Sequence, residues 1–378
     1  MRESRAVAHH RELPYWLALR RAGLGSTNFA LLLAHFRTIE AAWEAEPGEV
    51  GRAGIDPQYV RAMAKARASF DADREEALLE QHQARAMTWL DADYPASLRE
   101  IPQSPPVIFV RGSRGPQFEQ AVAVVGTRHV TPYGRQAAEL FCEALASAGV
   151  AIVSGLARGV DAIAHRVALE QGAPTVAVLA GGIDQVYPRE NAGLAARIVE
   201  QGCLVSEYPV GIPARRDYFP RRNRILSGLA RATLLVEAGE GSGALHTANW
   251  AFEQGRDVFA IPGSIFSRQS SATNQLIREN TAKLVATPGQ LCEELNLLAA
   301  ASQPPLTVLR PPAFQDGVGQ TGESPDDPVL RLLAGGPRHV DEIAREVGLP
   351  VARVSSSLQL LELTGAVRQT GPMTYSLA

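Results

Sequence analysis

Five arginines and two aromatics fall within ten residues at 215–224, Arg215-Arg216-Asp217-Tyr218-Phe219-Pro220-Arg221-Arg222-Asn223-Arg224. Arginines can neutralise successive phosphates while an exposed aromatic stacks on a base, which is the chemistry of single-strand recognition. A solvated basic loop with Tyr218 and Phe219 tucked into a core fits the same composition. Three glycine-bearing loops are further candidates: Gly126-Thr127-Arg128, Ser154-Gly155-Leu156-Ala157-Arg158-Gly159-Val160-Asp161 and Gly239-Glu240-Gly241-Ser242-Gly243. The first, with the helix opened by Pro132-Tyr133-Gly134, offers a hydroxyl, a guanidinium and a helix N-terminus to an anionic oxygen. None is a GxGxxG with an acidic residue some 20 positions on, and none is a GxxxxGK[ST], so dinucleotide binding and P-loop hydrolysis lack support.

Catalytic patterns are thin. The eight histidines show no HExxH or HxH spacing, and no GxSxG elbow occurs. His165 reads as a packed helical residue and Asp161 as a capping one. Glu207 and Glu237, at strand ends, are the best carboxylates for acid/base work, and can equally hold neighbouring loops through arginine. Cys142, Cys203 and Cys292 include no CxxC, which argues against zinc and against a disulfide framework. No metal and no cofactor is expected.

These loops need strands to carry them. Apolar runs at 107–110, 121–126, 150–153, 175–181, 203–206, 233–237 and 257–261 alternate with helical stretches at 133–148, 160–171, 190–201 and 243–254. That alternation predicts an α/β fold, a doubly wound, extended Rossmann-like parallel sheet, over 106–300. In such sheets ligands bind outside the carboxyl ends of the strands, at the topological switch point. Residues 1–105 read as a helical domain of the SAM or helix-hairpin-helix kind. Its Gly23-Leu24-Gly25 turn is either purely structural or a phosphate contact. Residues 301–328 read as a Pro/Gly-rich linker. Residues 329–378 read as a winged-helix-like domain, whose would-be recognition helix, 350–363, offers only Arg353 as a basic residue. That favours a protein-interaction or structural role over groove reading.

The chain has 378 residues and 37 basic against 40 acidic side chains. The net charge of −3 hides a positive centre: residues 106–290 carry 18 basic and 15 acidic groups. No apolar run approaches the roughly 18–20 residues of a membrane span, and no secretory leader opens the chain, so a cytoplasmic setting is expected.

Five ordered motifs carry a resemblance over about 107–290: VAVVGTR (122–128), SGLARGVDAIAH (154–165), GID-x-x-YP-x-x-N (182–191), FPRRNRILSGL (219–229) and DVFAIPG (257–263). The sequence resembles the DNA-processing protein A (DprA/Smf) family of bacterial transformation and recombination. The resemblance implies a non-catalytic single-stranded DNA binder that works as a homodimer through its Rossmann-like domain, protects incoming DNA and helps load the RecA recombinase. It places DNA contacts at Arg128, Arg216, Phe219, Arg222 and Arg224. With the loops above, the expected interface is Gly126, Thr127, Arg128, Ser154, Gly155, Arg158, Gly159, Arg216, Phe219, Arg222, Asn223, Arg224, Ser242 and Gly243. The chain departs from the family pattern in two places. Ser242-Gly243-Ala244-Leu245-His246-Thr247 replaces SGSLIT, and Ala272 and Asn280 stand where glycines flank a late motif. The rival reading is a nucleotide-processing enzyme of the lysine-decarboxylase-like phosphoribohydrolase class. Its catalytic glutamate is missing, because no acidic residue lies between Glu240 and Glu253. A third reading, a scaffold tethered to DNA by the winged helix, leaves the central loops without a role.

Overall fold

The computed structural model describes residues 2–297, 328–349, 351–363, 366–371 and 373–377, in two compact units on either side of 298–327. The expected linker, 301–328, lies outside the described residues apart from Pro328.

Nine strands of the first unit form one sheet: β1 (Arg85–Thr88), β2 (Val107–Gly112), β3 (Ala121–Val125), β4 (Ala151–Ser154), β5 (Thr175–Val178), β6 (Cys203–Ser206), β7 (Ala232–Leu235), β8 (Asp257–Ala260) and β9 (Lys283–Leu284). Their order is β1-β2-β6-β5-β4-β3-β7-β8-β9. All neighbours from β6 to β9 are parallel. β1 and β2 pair antiparallel, as do β2 and β6, so one flank departs from the expected parallel pattern. The seven apolar runs become β2 to β8. β1 and β9 carry little signal, since RAMT is partly exposed and β9 has two residues. The expected domain boundary at 105 cuts inside this sheet, because β1 already belongs to it.

Alternation along the central strands explains the two helical layers. Val122, Val124 and Ile152 face a core shared with the helices Pro132–Ser147 and Val160–Glu170. Ala121, Ala123, Val125 and Val153 face the other core, shared with the helices Tyr218–Leu229 and Gly243–Glu253. The chain steps from β3 through β4 and β5 to β6 in one direction, then restarts at β7 on the other side of β3. The switch point therefore lies between β3 and β7. Asn280, one of the departures from the family pattern, takes the left-handed conformation with φ of 55°.

Helices from Arg2 to Gln81 cover part of the sheet. Trp16 stacks on Phe29 at 5.1 Å, and Trp89 meets both edge-on. This cluster is continuous with Val107 and Phe109 of β2 and Leu204 of β6. In the Gly23-Leu24-Gly25 turn, the amides of Gly23 and Leu24 donate back to Arg20 O and Leu19 O. The same turn's Leu24 carbonyl accepts from Arg20 Nη1 at 2.6 Å. The turn closes on the protein itself, which selects the structural reading of this hairpin.

The second unit has helices Pro328–Leu333, Val340–Val347 and Val351–Leu363 and a sheet of β10 (Arg338–His339), β11 (Val367–Gly371) and β12 (Thr374–Leu377). Val329, Ile343, Val354, Leu358 and Tyr375 form its core. This is a winged helix; the Arg353 side chain lies outside the described residues. No helix among the described residues is long and apolar enough to cross a membrane.

Candidate nucleic-acid interface

The loops leaving β3 and β7 open onto a cavity of about 400 Å³ at the switch point. Gly126, Thr127 and Arg128 line it from the β3 side, and Gly239 to Gly243 from the β7 side. Phe219, Arg222 and Asn223, on the helix Tyr218–Leu229, line it from above. Close backbone approach explains two glycines of the second loop. A Cβ on Gly159, whose φ is +73°, would lie 2.3 Å from Thr127 O, and one on Gly155 would lie 2.6 Å from Arg222 Nη2. Asp161 Oδ2 accepts from the amides of Gly155 and Ala157, which fixes the turn between these glycines. Burial raises the Asp161 pKa, and Arg222 opposes that rise.

The helix N-terminus beyond Arg128 is not open to an outside anion. Glu237, almost wholly buried, accepts from the Thr131 amide at 3.0 Å and the Thr131 hydroxyl at 2.6 Å. Its own carbonyl accepts from Thr127 N at 2.7 Å. A carboxylate from β7 thus fills the place offered to a phosphate in the sequence reading, where it complements the helix dipole.

The ten-residue basic stretch divides in two. Phe219 is half-buried at the cavity, and the guanidinium carbons of Arg128 and Arg222 each lie 5.8 Å from its ring centroid. Arg128 is exposed and makes no ion pair among the described residues. Arg222 is buried: Nη1 donates to Gly155 O at 2.8 Å and to Val178 O, while Nε donates to Asn223 Oδ1. Desolvation draws its pKa down to about 10, against the pull of Asp161. Its Nη2 has no hydrogen-bond partner among the described residues and remains available at the cavity. Asn223 Nδ2 donates to Gly243 O at 3.1 Å, tying this helix to the β7 loop. Trp250 Nε1 donates to Pro220 O at 3.3 Å from the neighbouring helix.

Eight of the fourteen expected residues therefore meet at one cavity: Gly126, Thr127, Arg128, Phe219, Arg222, Asn223, Ser242 and Gly243. The other six do not line it. Ser154 is buried and donates to Val124 O. Gly155 and Gly159 act through close packing. Arg158 is exposed in a two-bond ion pair with Glu190 at 2.6 and 2.7 Å. Arg216 is exposed, makes no ion pair among the described residues and lies outside the cavity lining. Arg224 is a correction: it donates to both Glu207 oxygens at 3.2 and 2.7 Å, with both side chains buried, so it is committed inside the fold. Arg20 Nη2 donates to Glu207 O from the N-terminal helices, extending this network. Sequence reasoning missed Gln269, which accepts from Thr127 Oγ1, and Thr247, buried at the cavity without a hydrogen bond among the described residues. Gln269 is 142 residues away in sequence from its partner, so no local pattern reveals it. Thr247 lies in the SGSLIT-like segment, where it keeps the family's threonine while Ala244 and His246 depart from the pattern.

Residues 85–296 match the model of the DNA recombination-mediator protein A family, and residues 311–371 that of the DprA winged helix domain. Protein Smf of Synechocystis is 34% identical, over 96% of this chain and 98% of its own length. The chain belongs to the DNA recombination-mediator protein A family. Protein Smf of Escherichia coli K12 is 40% identical over 72% of each chain. Among solved structures, DprA of Streptococcus pneumoniae aligns with a TM-score of 0.66 and 33% identity, covering 74% of this chain and 97% of that one. DNA processing protein A of Helicobacter pylori, whose structure concerns its single-stranded DNA binding mode, aligns with a TM-score of 0.52 and 26% identity, covering 57% and 96%. This is a DNA-processing protein, and the recombination-mediator family's winged helix is present in it.

Proposed function

We propose that the switch-point cavity binds single-stranded DNA without catalysing a reaction, in the cytoplasm. One observation carries this reading: Phe219 sits half-buried at the cavity with two arginines against its ring, one of them exposed and without an ion pair among the described residues. A base that stacks on Phe219 displaces the Arg128 guanidinium towards the adjoining phosphate, so stacking and charge act on one nucleotide. The binding mode described for the Helicobacter pylori relative supports the same ligand.

The enzymatic alternative finds no carboxylate at the cavity, among the described residues, that is both unengaged and held in place; Asp161 accepts from the Gly155 and Ala157 amides. Glu207 is held by Arg224, and Glu237 is engaged by Thr131, the N-cap of the Pro132–Ser147 helix. Glu240, at the rim, is exposed and has no hydrogen bond to position it among the described residues.

Two partners belong to the proposal. A homodimer through the α/β unit is supported by the edge strand β9, where Leu284 is 50% exposed. Two such sites in one assembly gain avidity on one strand. Hand-over of the bound strand to the RecA recombinase is supported by the family's description as recombination mediators. Titration of labelled single and double strands across a salt series tests the ligand. The expected result is a steep salt dependence and a preference for the single strand. Equal duplex binding overturns the reading.

A further inference from the structure

We propose that Tyr187 stacks the base adjacent to the one on Phe219, so that the rim engages two consecutive unpaired bases; this rests on the single-strand reading above. Tyr187 is 55% exposed, and its hydroxyl makes no hydrogen bond among the described residues. Its ring lies 5.6 Å from that of Phe219, with the planes at 67°. That edge-on contact with Phe219 still leaves more than half of the Tyr187 surface open to solvent.

The backbone that carries it is fixed at both ends. Asp184 Oδ1 accepts from Gly211 N at 2.8 Å on one side. On the other, Asn191 Nδ2 donates to Leu156 O at 2.9 Å and to Ala157 O at 3.3 Å. Glu190 holds Arg158 of the same loop. Pro188, between these anchors, and Ile183, just before the first, are buried. In the GID-x-x-YP-x-x-N motif, therefore, Ile183, Asp184, Pro188 and Asn191 fasten the segment to its surroundings, and Tyr187 is the aromatic it presents outward, beside the exposed Arg189 and Glu190. A ring held out by a rigid segment loses little freedom on binding.

The geometry also selects the strand. Bases in a duplex strand are spaced about 3.4 Å apart along the axis. Two rings 5.6 Å apart and strongly inclined can be matched only by bases unstacked from each other. An unpaired strand reaches that arrangement without breaking base pairs.

The test compares the full chain with Tyr187→Ala and Tyr187→Phe, titrated against a labelled thymidine oligonucleotide and an abasic strand of equal length. Tyr187→Ala should weaken binding to the base-bearing strand by roughly 10- to 100-fold. It should leave binding to the abasic strand, the salt slope and the melting temperature unchanged, while Tyr187→Phe binds as the unaltered protein. Unchanged affinity of Tyr187→Ala, equal weakening on both strands, or a lowered melting temperature each overturns the assignment. If the unaltered protein binds the thymidine strand normally, such a result removes Tyr187 alone. If the unaltered protein does not bind that strand, the single-strand reading itself fails.

Discussion

The rim of the switch-point cavity and the buried Arg224–Glu207 network both draw on the basic stretch 215–224, yet they use arginine in opposite ways. At the rim, Arg128 is exposed, lacks an ion-pair partner among the described residues and rests against Phe219. Beneath, Arg224 is enclosed with Glu207, and Arg20 reaches the same residue's carbonyl. The difference teaches that a basic cluster is not a measure of the charge available to a ligand. An arginine already neutralised in the fold releases no counterions on binding, whereas its loss leaves a buried carboxylate uncompensated.

The largest expected effect breaks the network. Arg224→Ala should cost about 3–5 kcal/mol of folding stability, because Glu207 stays buried without its partner. Denaturant melts read this directly, and the DNA affinity of the folded fraction should be preserved. A stable variant with weakened DNA binding would place Arg224 at the rim instead.

The interior makes a second prediction, through acid. His165 Nδ1 lies 2.7 Å from Thr175 Oγ1, whose own proton goes to Ile152 O, so Nδ1 carries the hydrogen. Nε2 is buried without a partner, and burial lowers the His165 pKa to about 3. The unfolded chain, with histidine near 6.5, binds the extra proton first as pH falls. Stability is therefore retained above pH 6.5 and lost between about 6.5 and 3, with a slope of about 1.4 kcal/mol per pH unit from this group. His165→Leu should flatten the profile by that slope between pH 6 and 4. An unchanged profile would show that His165 titrates alike in the folded and unfolded chain.

At the rim the effects move from stability to binding. Phe219→Ala should weaken single-strand binding by about 1–3 kcal/mol, with the salt slope nearly unchanged. A collapse in melting temperature with normal affinity of the folded fraction would make Phe219 a packing residue. Smallest in thermodynamic terms is Arg128→Ala. It should lower the salt slope by about one unit, since one counterion fewer is released, and leave the melt unaltered. An unaltered slope would mean that Arg128 meets no phosphate.

The sequence made the sheet legible where strands are buried on both faces, since AVAVV, TVAV and ATLL admit little else. β1 escaped because pairing with β2, and not composition, makes it a strand. The meeting of the β3 and β7 loops followed from the doubly wound topology. The fate of Arg224 did not, because its burial depends on Glu207, 17 positions earlier and on another element. Glu237 shows the same limit. Its position at a strand end was visible, but its bonds to Thr131, the N-cap of the Pro132–Ser147 helix, require the two elements to be side by side. Tyr187 stood in a quoted motif, yet only exposure separates it from its anchored neighbours.

The aromatic cluster that joins the N-terminal helices to β2 and β6 has a consequence for how such chains can be cut and inherited. Trp16, Phe29 and Trp89 belong to one cooperative block with the sheet they cover, and Arg20 fastens that block to Glu207. A protease nicking the chain near residue 83 would leave two fragments that remain associated, and neither would be stable alone. A relative that dispenses with these helices has to recolour the exposed face of β2 with polar side chains. The helices and that face can therefore be exchanged between proteins only as a matched pair.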